Sequence, residues 1–193
     1  MGRTKQFDRH AALDQAMEVF WARGYHATSI QDLVDQLGVN RQSLYDTFGG
    51  KDELFRTVLE RYRHLRGLPM RRCLERDGPI GDVLREFFGV VIGYLMKNDG
   101  KGCLMANTTT ELATHDEEIF KMCSANAREL EAAFTGLMAR AQEKEEIDKD
   151  RSPLQLARFL VNTLNGLAVT AKATRDHKTL NDIVEVTLST LQV

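Results

Sequence analysis

A break of three residues, Gly38-Val39-Asn40, joins two short helical patterns in the run SIQDLVDQLGVNRQSLYDTFGGKDELF, Ser29 to Phe55. Two helices held that close have few ways to pack. In the first, which the pattern starts at Thr28, Ile30, Leu33, Val34 and Leu37 share one face. Thr28-Ser29-Ile30-Gln31 fits a capping box with Gln31 at the third helical position. Gly38 ends that helix and Val39 plugs the turn. Asn40 caps the next helix, which reaches Phe48. There Leu44 and Phe48, four residues apart, face inward and leave Arg41, Gln42, Ser43, Tyr45, Asp46 and Thr47 outward.

The same periodicity extends through the chain. No stretch alternates apolar and polar residues as a half-buried strand would, and only three prolines interrupt 193 residues. The expected class is all-α, with about nine helices. A first helix runs from an Asp8 cap to Arg23, with Leu13, Ala16, Met17, Phe20 and Trp21 as its stripe and Gly24 as its stop. Before it lies a short basic arm with Arg3 and Lys5. After Gly49-Gly50 a fourth helix starts near Lys51 and continues to about Arg76. Further helices are expected to about Lys97, over CLMANTTTELA, from His115 to about Glu146, and over 153–173 and 179–191. EKEEIDKDRSP reads as a frayed end plus linker. The domain expectation is 1–50 for a three-helix head and 51–193 for a larger helical bundle.

Composition excludes several classes. No apolar run approaches the ~20 residues of a membrane span. The start, MGRTKQFDRH, lacks the apolar core of a signal peptide. Three widely spaced cysteines, Cys73, Cys103 and Cys123, offer no disulfide framework and fit a reducing cytoplasm. The five histidines have no metal-ligand spacing, and no phosphate loop or nucleophile elbow occurs, so neither an enzyme nor a cofactor is expected. Net charge is −2, unevenly shared. Residues 1–76 carry 13 Lys and Arg against 10 Asp and Glu, whereas residues 77–193 carry 13 against 18. The difference is modest, and it puts any polyanion-facing surface in the N-terminal region.

Two helices joined by a tight glycine turn form a helix-turn-helix, whose second helix enters the major groove of double-stranded DNA. Arg41 can hold guanine and Gln42 adenine, each through two hydrogen bonds. The hydroxyls of Ser43, Tyr45 and Thr47 and the Lys51 ammonium suit phosphate oxygens. Asp46 either opposes close phosphate approach or supports Arg41 or Arg56.

FDRHAALDQAMEVFWARGYHATSIQDLVDQLGVNRQSLYDTFGGKDELF resembles the DNA-binding domain of the TetR/AcrR family of transcriptional regulators. The likeness covers about residues 8–55. It implies an all-α homodimer with a three-helix head and a C-terminal domain for ligand and dimerisation. It places Thr28, Arg41, Gln42, Ser43, Tyr45 and Lys51 at DNA-facing positions. Gly50 departs from the family's usual Ser or Asn and weakens the cap of the fourth helix.

In the C-terminal region, the signal has more than one reading. DGKGCLMANTTTELA is similar to the Gly-Cys junction of family members that answer electrophiles and oxidants, such as the N-ethylmaleimide-reductase repressor. That likeness makes Cys103 a sensor and Lys172 its assistant. From the residues alone, Cys103 follows a lysine and begins a helix, where thiolates are favoured. Cys123 reads as core and Cys73 as a minor candidate. The alternative is an apolar small-molecule inducer, with Phe88, Tyr94, Met105, Asn107, Thr108, Phe134 and Asn165 as lining. A thiol-dependent enzyme and a DNA-binder without a sensed ligand are further alternatives. On the last two helices, Asn165-Gly166, Ala168 and Ala171 with Leu180, Ile183, Val184, Thr187, Leu188 and Leu191 read as a dimer face.

Overall fold

A computed structural model describes residues 8–192. The basic arm with Arg3 and Lys5 lies outside them. Every regular element among the described residues is helical: α1 (Arg9–Arg23), α2 (Ile30–Leu37), α3 (Arg41–Phe48), α4 (Lys51–Tyr62), α5 (Leu68–Leu74), α6 (Ile80–Lys97), α7 (Leu104–Leu112), α8 (Glu117–Glu143), α9 (Pro153–Thr174) and α10 (His177–Leu191). A π turn, Arg63–Gly67, joins α4 to α5 without a break, so nine separate helical rods result among the described residues. Pro69 accounts for the turn. It has no N–H for the carbonyl four residues back, and its ring crowds that carbonyl, so the helix widens before it.

The chain divides into two compact units, Met1–Leu65 and Arg66–Val193. The division falls in the π turn, because α4 packs on α1. Phe20 meets Phe55 edge-on with centroids 4.8 Å apart, and Trp21 meets Tyr62 at 5.5 Å. Arg61 locks the two helices together by two hydrogen bonds to Asp14, Nε to Oδ1 at 2.6 Å and Nη2 to Oδ2 at 2.7 Å. Leu33, Leu44, Leu54, Val58 and Leu59 fill the space between the four helices.

Local chemistry sets each start and stop in this unit. The Asp8 carboxylate accepts from the N–H groups of His10 and Ala11. The second helix differs from the sequence expectation. Its capping box pairs Ser29 with Asp32, one residue later than Thr28 with Gln31. Both Thr28 and Ser29 are good caps, and tertiary packing decides between them. Thr28 is buried and its hydroxyl donates to the Gly24 carbonyl at 2.6 Å. Gly38 ends α2 at φ 63, in the left-handed region that favours glycine.

In the second unit the long helices α8 and α9 pack together, with α6 against α9 and α10. Phe87, Phe88, Phe134, Leu137, Met138 and Leu160 are at its centre. The charged run after α8 is more than a linker. Ile147 inserts into the core, and the Glu146 carboxylate accepts from the Ile80 N–H, capping a helix 66 residues away in sequence. The last helix begins at His177, two residues before the expected start, because the Asp176 carboxylate accepts from the N–H groups of Lys178 and Thr179.

Candidate nucleic-acid interface

Helix α3 is eight residues long and its two faces differ sharply. Leu44 and Phe48 are buried, whereas Arg41, Gln42, Tyr45 and Asp46 are exposed and Ser43 and Thr47 half-exposed. The Asn40 side chain accepts from the Ser43 N–H at 2.7 Å and starts the helix. The turn at Gly38 and this cap fix where the first residues of α3 emerge, so Arg41 and Gln42 stand together at the N-terminal end.

Most of the expected contact residues lie on this surface; one does not. The Thr28 side chain is inside the head and its hydroxyl donates to the Gly24 carbonyl. Asp46 supports neither Arg41 nor Arg56. Its Oδ1 accepts from Gln42 Nε2 at 2.7 Å, while Arg56 bonds Glu53.

Lys51 begins α4, where Gly50 provides no side-chain cap. Its Nζ sits 4.0 Å from the centroid of the Tyr25 ring. The Tyr25 hydroxyl donates to the Asp52 carboxylate, and its ring packs against Phe55 at 5.0 Å. The loop after α1 and the start of α4 therefore hold one ammonium in place by cation–π attraction. Sequence reading missed Tyr25 and Asp52. Tyr25 and Lys51 are 26 positions apart in the chain, so no local spacing reveals the pair. On α2, the Asp32 carboxylate is held down to a pKa of about 2, first by the Ser29 hydroxyl, then by the Ser29 N–H and Arg23.

The candidates of the second unit separate into two groups. Phe88, Phe134, Met105 and Thr108 are buried, and Phe134 packs edge-on against Phe87 at 5.2 Å. Phe88 and Phe134 belong to the packed core. Tyr94 is half-buried with the Arg66 guanidinium 5.0 Å from its ring centroid. Asn107 and Asn165 do share a groove. It runs between α7 and α9, holds about 580 Å³ and is also lined by Thr109, Val169 and Lys172.

Cys103 is the residue before α7 and is half-buried, while Cys123 is buried as expected of a core residue. Lys172 reaches the same junction. Its Nζ donates to Asn107 Oδ1 at 3.2 Å, and Asn107 Nδ2 donates to the Lys101 carbonyl at 2.9 Å. Its stem lies so close to Gly102 that a Cβ there would stand 2.8 Å from Lys172 Cδ. The fold thus brings Lys172 beside the Gly102-Cys103 step, 69 residues away along the chain. Asn107 as the link was not legible in the sequence.

The stripe read as a dimer face is largely internal. Ala168, Ala171, Leu180, Val184, Leu188 and Leu191 are buried within the chain. The apolar residues that α9 and α10 leave outside are Leu154, Phe159, Val169 and Val186, the last two 61% and 66% exposed.

Two family models match the chain: "Bacterial regulatory proteins, tetR family" over residues 12–58, and "Tetracyclin repressor-like, C-terminal domain" over residues 82–186. The chain belongs to the TetR family. As a TetR-family protein it is a DNA-binding transcriptional regulator and not an enzyme. The uncharacterized HTH-type transcriptional regulator YezE of Bacillus subtilis (strain 168) is 35% identical over 99% of this chain and 100% of its own length. The HTH-type transcriptional repressor ComR of Escherichia coli (strain K12) is 31% identical over 100% of this chain and 91% of its own. Among solved structures, a cysteine mutant of the TetR-family regulator CifR, complexed with 26-bp double-strand operator DNA, superposes with a TM-score of 0.86. It is 29% identical and the match covers 97% of this chain and 98% of that one. The reduced form of E. coli NemR, 19% identical over 93% of this chain and 94% of its own, shares the fold at a TM-score of 0.78. Among the described residues of this TetR-family chain no helix is long and apolar enough to cross a membrane.

Proposed function

We propose that this chain is a homodimeric cytoplasmic repressor that reads its operator with Arg41, Gln42 and Ser43 and releases it when the junction at Cys103 is modified. The observation that carries the DNA reading is the outward face of α3, where Arg41 and Gln42 stand exposed at the helix start behind the Asn40 cap. Tyr45 and Thr47 on that face, with Lys51, meet phosphates and set register without reading sequence. Two heads need two chains, and the exposed Phe159, Val169 and Val186 on α9 and α10 offer the apolar surface for pairing them. Replacing Arg41 by Ala is expected to cost ~1–3 kcal/mol on the operator and to relax preference at one base pair. Lys51→Ala is expected to weaken all duplexes alike.

For the signal, the support is the convergence at Cys103. A half-buried thiol starts α7 while Lys172 lies over the preceding glycine and bonds Asn107. The CifR proteins seen on operator DNA carry cysteine substitutions, which makes thiols a natural suspect in a relative of this similarity. The second reading is a small-molecule inducer in the groove between α7 and α9, favoured by its polar lining of Asn107, Asn165 and Lys172. A binding titration on DNA from the protein's own upstream region separates the two. Binding lost on mild thiol oxidation, restored by reductant and insensitive in Cys103→Ser supports the thiol. Binding in Cys103→Ser that is still lost on oxidation refutes it.

A further inference from the structure

Gln42 and Asp46 lie one turn apart on the outward face of α3, and the bond between them decides how a glutamine can read a base. A glutamine amide has a donor end and an acceptor end and turns over about χ3 at little cost, so alone it presents either end to a groove. An ionised carboxylate only accepts hydrogen bonds. With Asp46 Oδ1 2.7 Å from Nε2, the nitrogen must face Asp46 and the oxygen must face away. Nε2 carries two hydrogens. When Asp46 takes the hydrogen trans to Oε1, the other remains on the same edge as Oε1. That edge, a donor beside an acceptor, is the complement of adenine N7 and N6.

We propose that Asp46 is a positioning residue for base readout, fixing the amide polarity of Gln42 so that α3 selects adenine at one pair. The proposal rests on the reading of Gln42 as a base contact. The surroundings of Asp46 agree with it. Among the described residues no cation pairs with it, and Arg56, one of the two partners the sequence offered, is bonded to Glu53. An unpaired acid on a DNA-facing helix repels phosphates and lowers affinity for every duplex. A residue that weakens binding in general and sharpens it at one pair has two effects of opposite sign, and a residue that merely stabilises the helix has not.

The test uses the full chain and a duplex selected from a randomised pool by the unaltered protein, with its single-pair variants and one unrelated duplex. Gln42→Ala is expected to flatten preference at one pair. Asp46→Asn has nearly the same volume, but its amide both donates and accepts. It should reduce preference at that same pair by about fivefold or more, and strengthen binding to the unrelated duplex. Asp46→Glu, still acceptor-only, should retain the preference. The double variant of Gln42→Ala and Asp46→Asn should lose no more preference than Gln42→Ala alone. If Gln42→Ala leaves preference intact at every pair, readout by Gln42 is refuted, and the role of Asp46 with it. If Gln42→Ala flattens one pair and Asp46→Asn does not, only the role of Asp46 is overturned. Weaker binding of Asp46→Asn to every duplex alike would also overturn it.

Discussion

The head and the C-terminal unit are both built from amphipathic helices, yet the same kind of stripe means different things in the two. In the head, α1, α2 and α3 are bounded by side-chain caps and left-handed glycines, so the apolar face is core and the opposite face is left to solvent. In the C-terminal unit, helices of up to 27 residues carry more apolar surface than one partner covers. Spacing there shows that a residue turns inward, but not whether the interior is filled. Phe88 and Phe134 are packed core, and a groove between α7 and α9 is lined instead by half-polar residues. The proposed DNA face is what local rules leave over in the head, and the proposed signal site is what distant elements bring together in the other unit.

The largest test of that contrast is Phe134→Ala. If the residue is core, thermal or denaturant unfolding should show a loss of about 3–5 kcal/mol. A variant nearly as stable as the parent would mean that Phe134 lines space intended for a ligand. Gly102→Ala comes next. It puts a Cβ at φ +70, 2.8 Å from Lys172 Cδ and 3.0 Å from the Ala168 carbonyl oxygen. The left-handed backbone alone costs roughly 1–2 kcal/mol. Unchanged stability would show that the junction before α7 is loose and that Lys172 is not seated there.

Asn40→Ala removes the cap of α3 and should cost about 1 kcal/mol, lowering DNA affinity while leaving the order of preferred bases intact. A changed base preference would mean that Asn40 itself reaches DNA. The smallest effect concerns Asp32, whose pKa falls from the usual 3.8 to about 2 on folding. A depressed carboxylate stabilises above its unfolded pKa, and that contribution is lost as pH falls through about 2. Helical circular dichroism followed from pH 5 downward should show the parent losing its advantage over Asp32→Asn across that window. An advantage constant with pH would leave the α2 capping box without a charge component.

The sequence made the head nearly transparent. Leu44 and Phe48 point in because they are four residues apart, and Asn40 caps α3 because it follows the glycine turn that stops α2. Where reading slipped, two local rules competed. Thr28 and Ser29 both have a suitable partner three residues on, and burial of Thr28 decided the start of α2. The bond from Gln42 to Asp46 was available as a four-residue spacing, and only the choice among several cations and amides hid it. In the second unit the decisive contacts have no local trace. Glu146 capping Ile80 and Lys172 reaching Asn107 join residues 66 and 65 apart.

Lys51 leaves a last consequence. Its ammonium is held by a ring face, and among the described residues no carboxylate pairs with it. A lysine in an ion pair must give up that partner before it can meet a phosphate, so the ions released by DNA are partly offset on the protein side. A lysine held on a π face keeps its whole charge while its position is already fixed. It should therefore displace close to one full counterion from the duplex on docking, which is the entropy that drives nonspecific capture before any base is read.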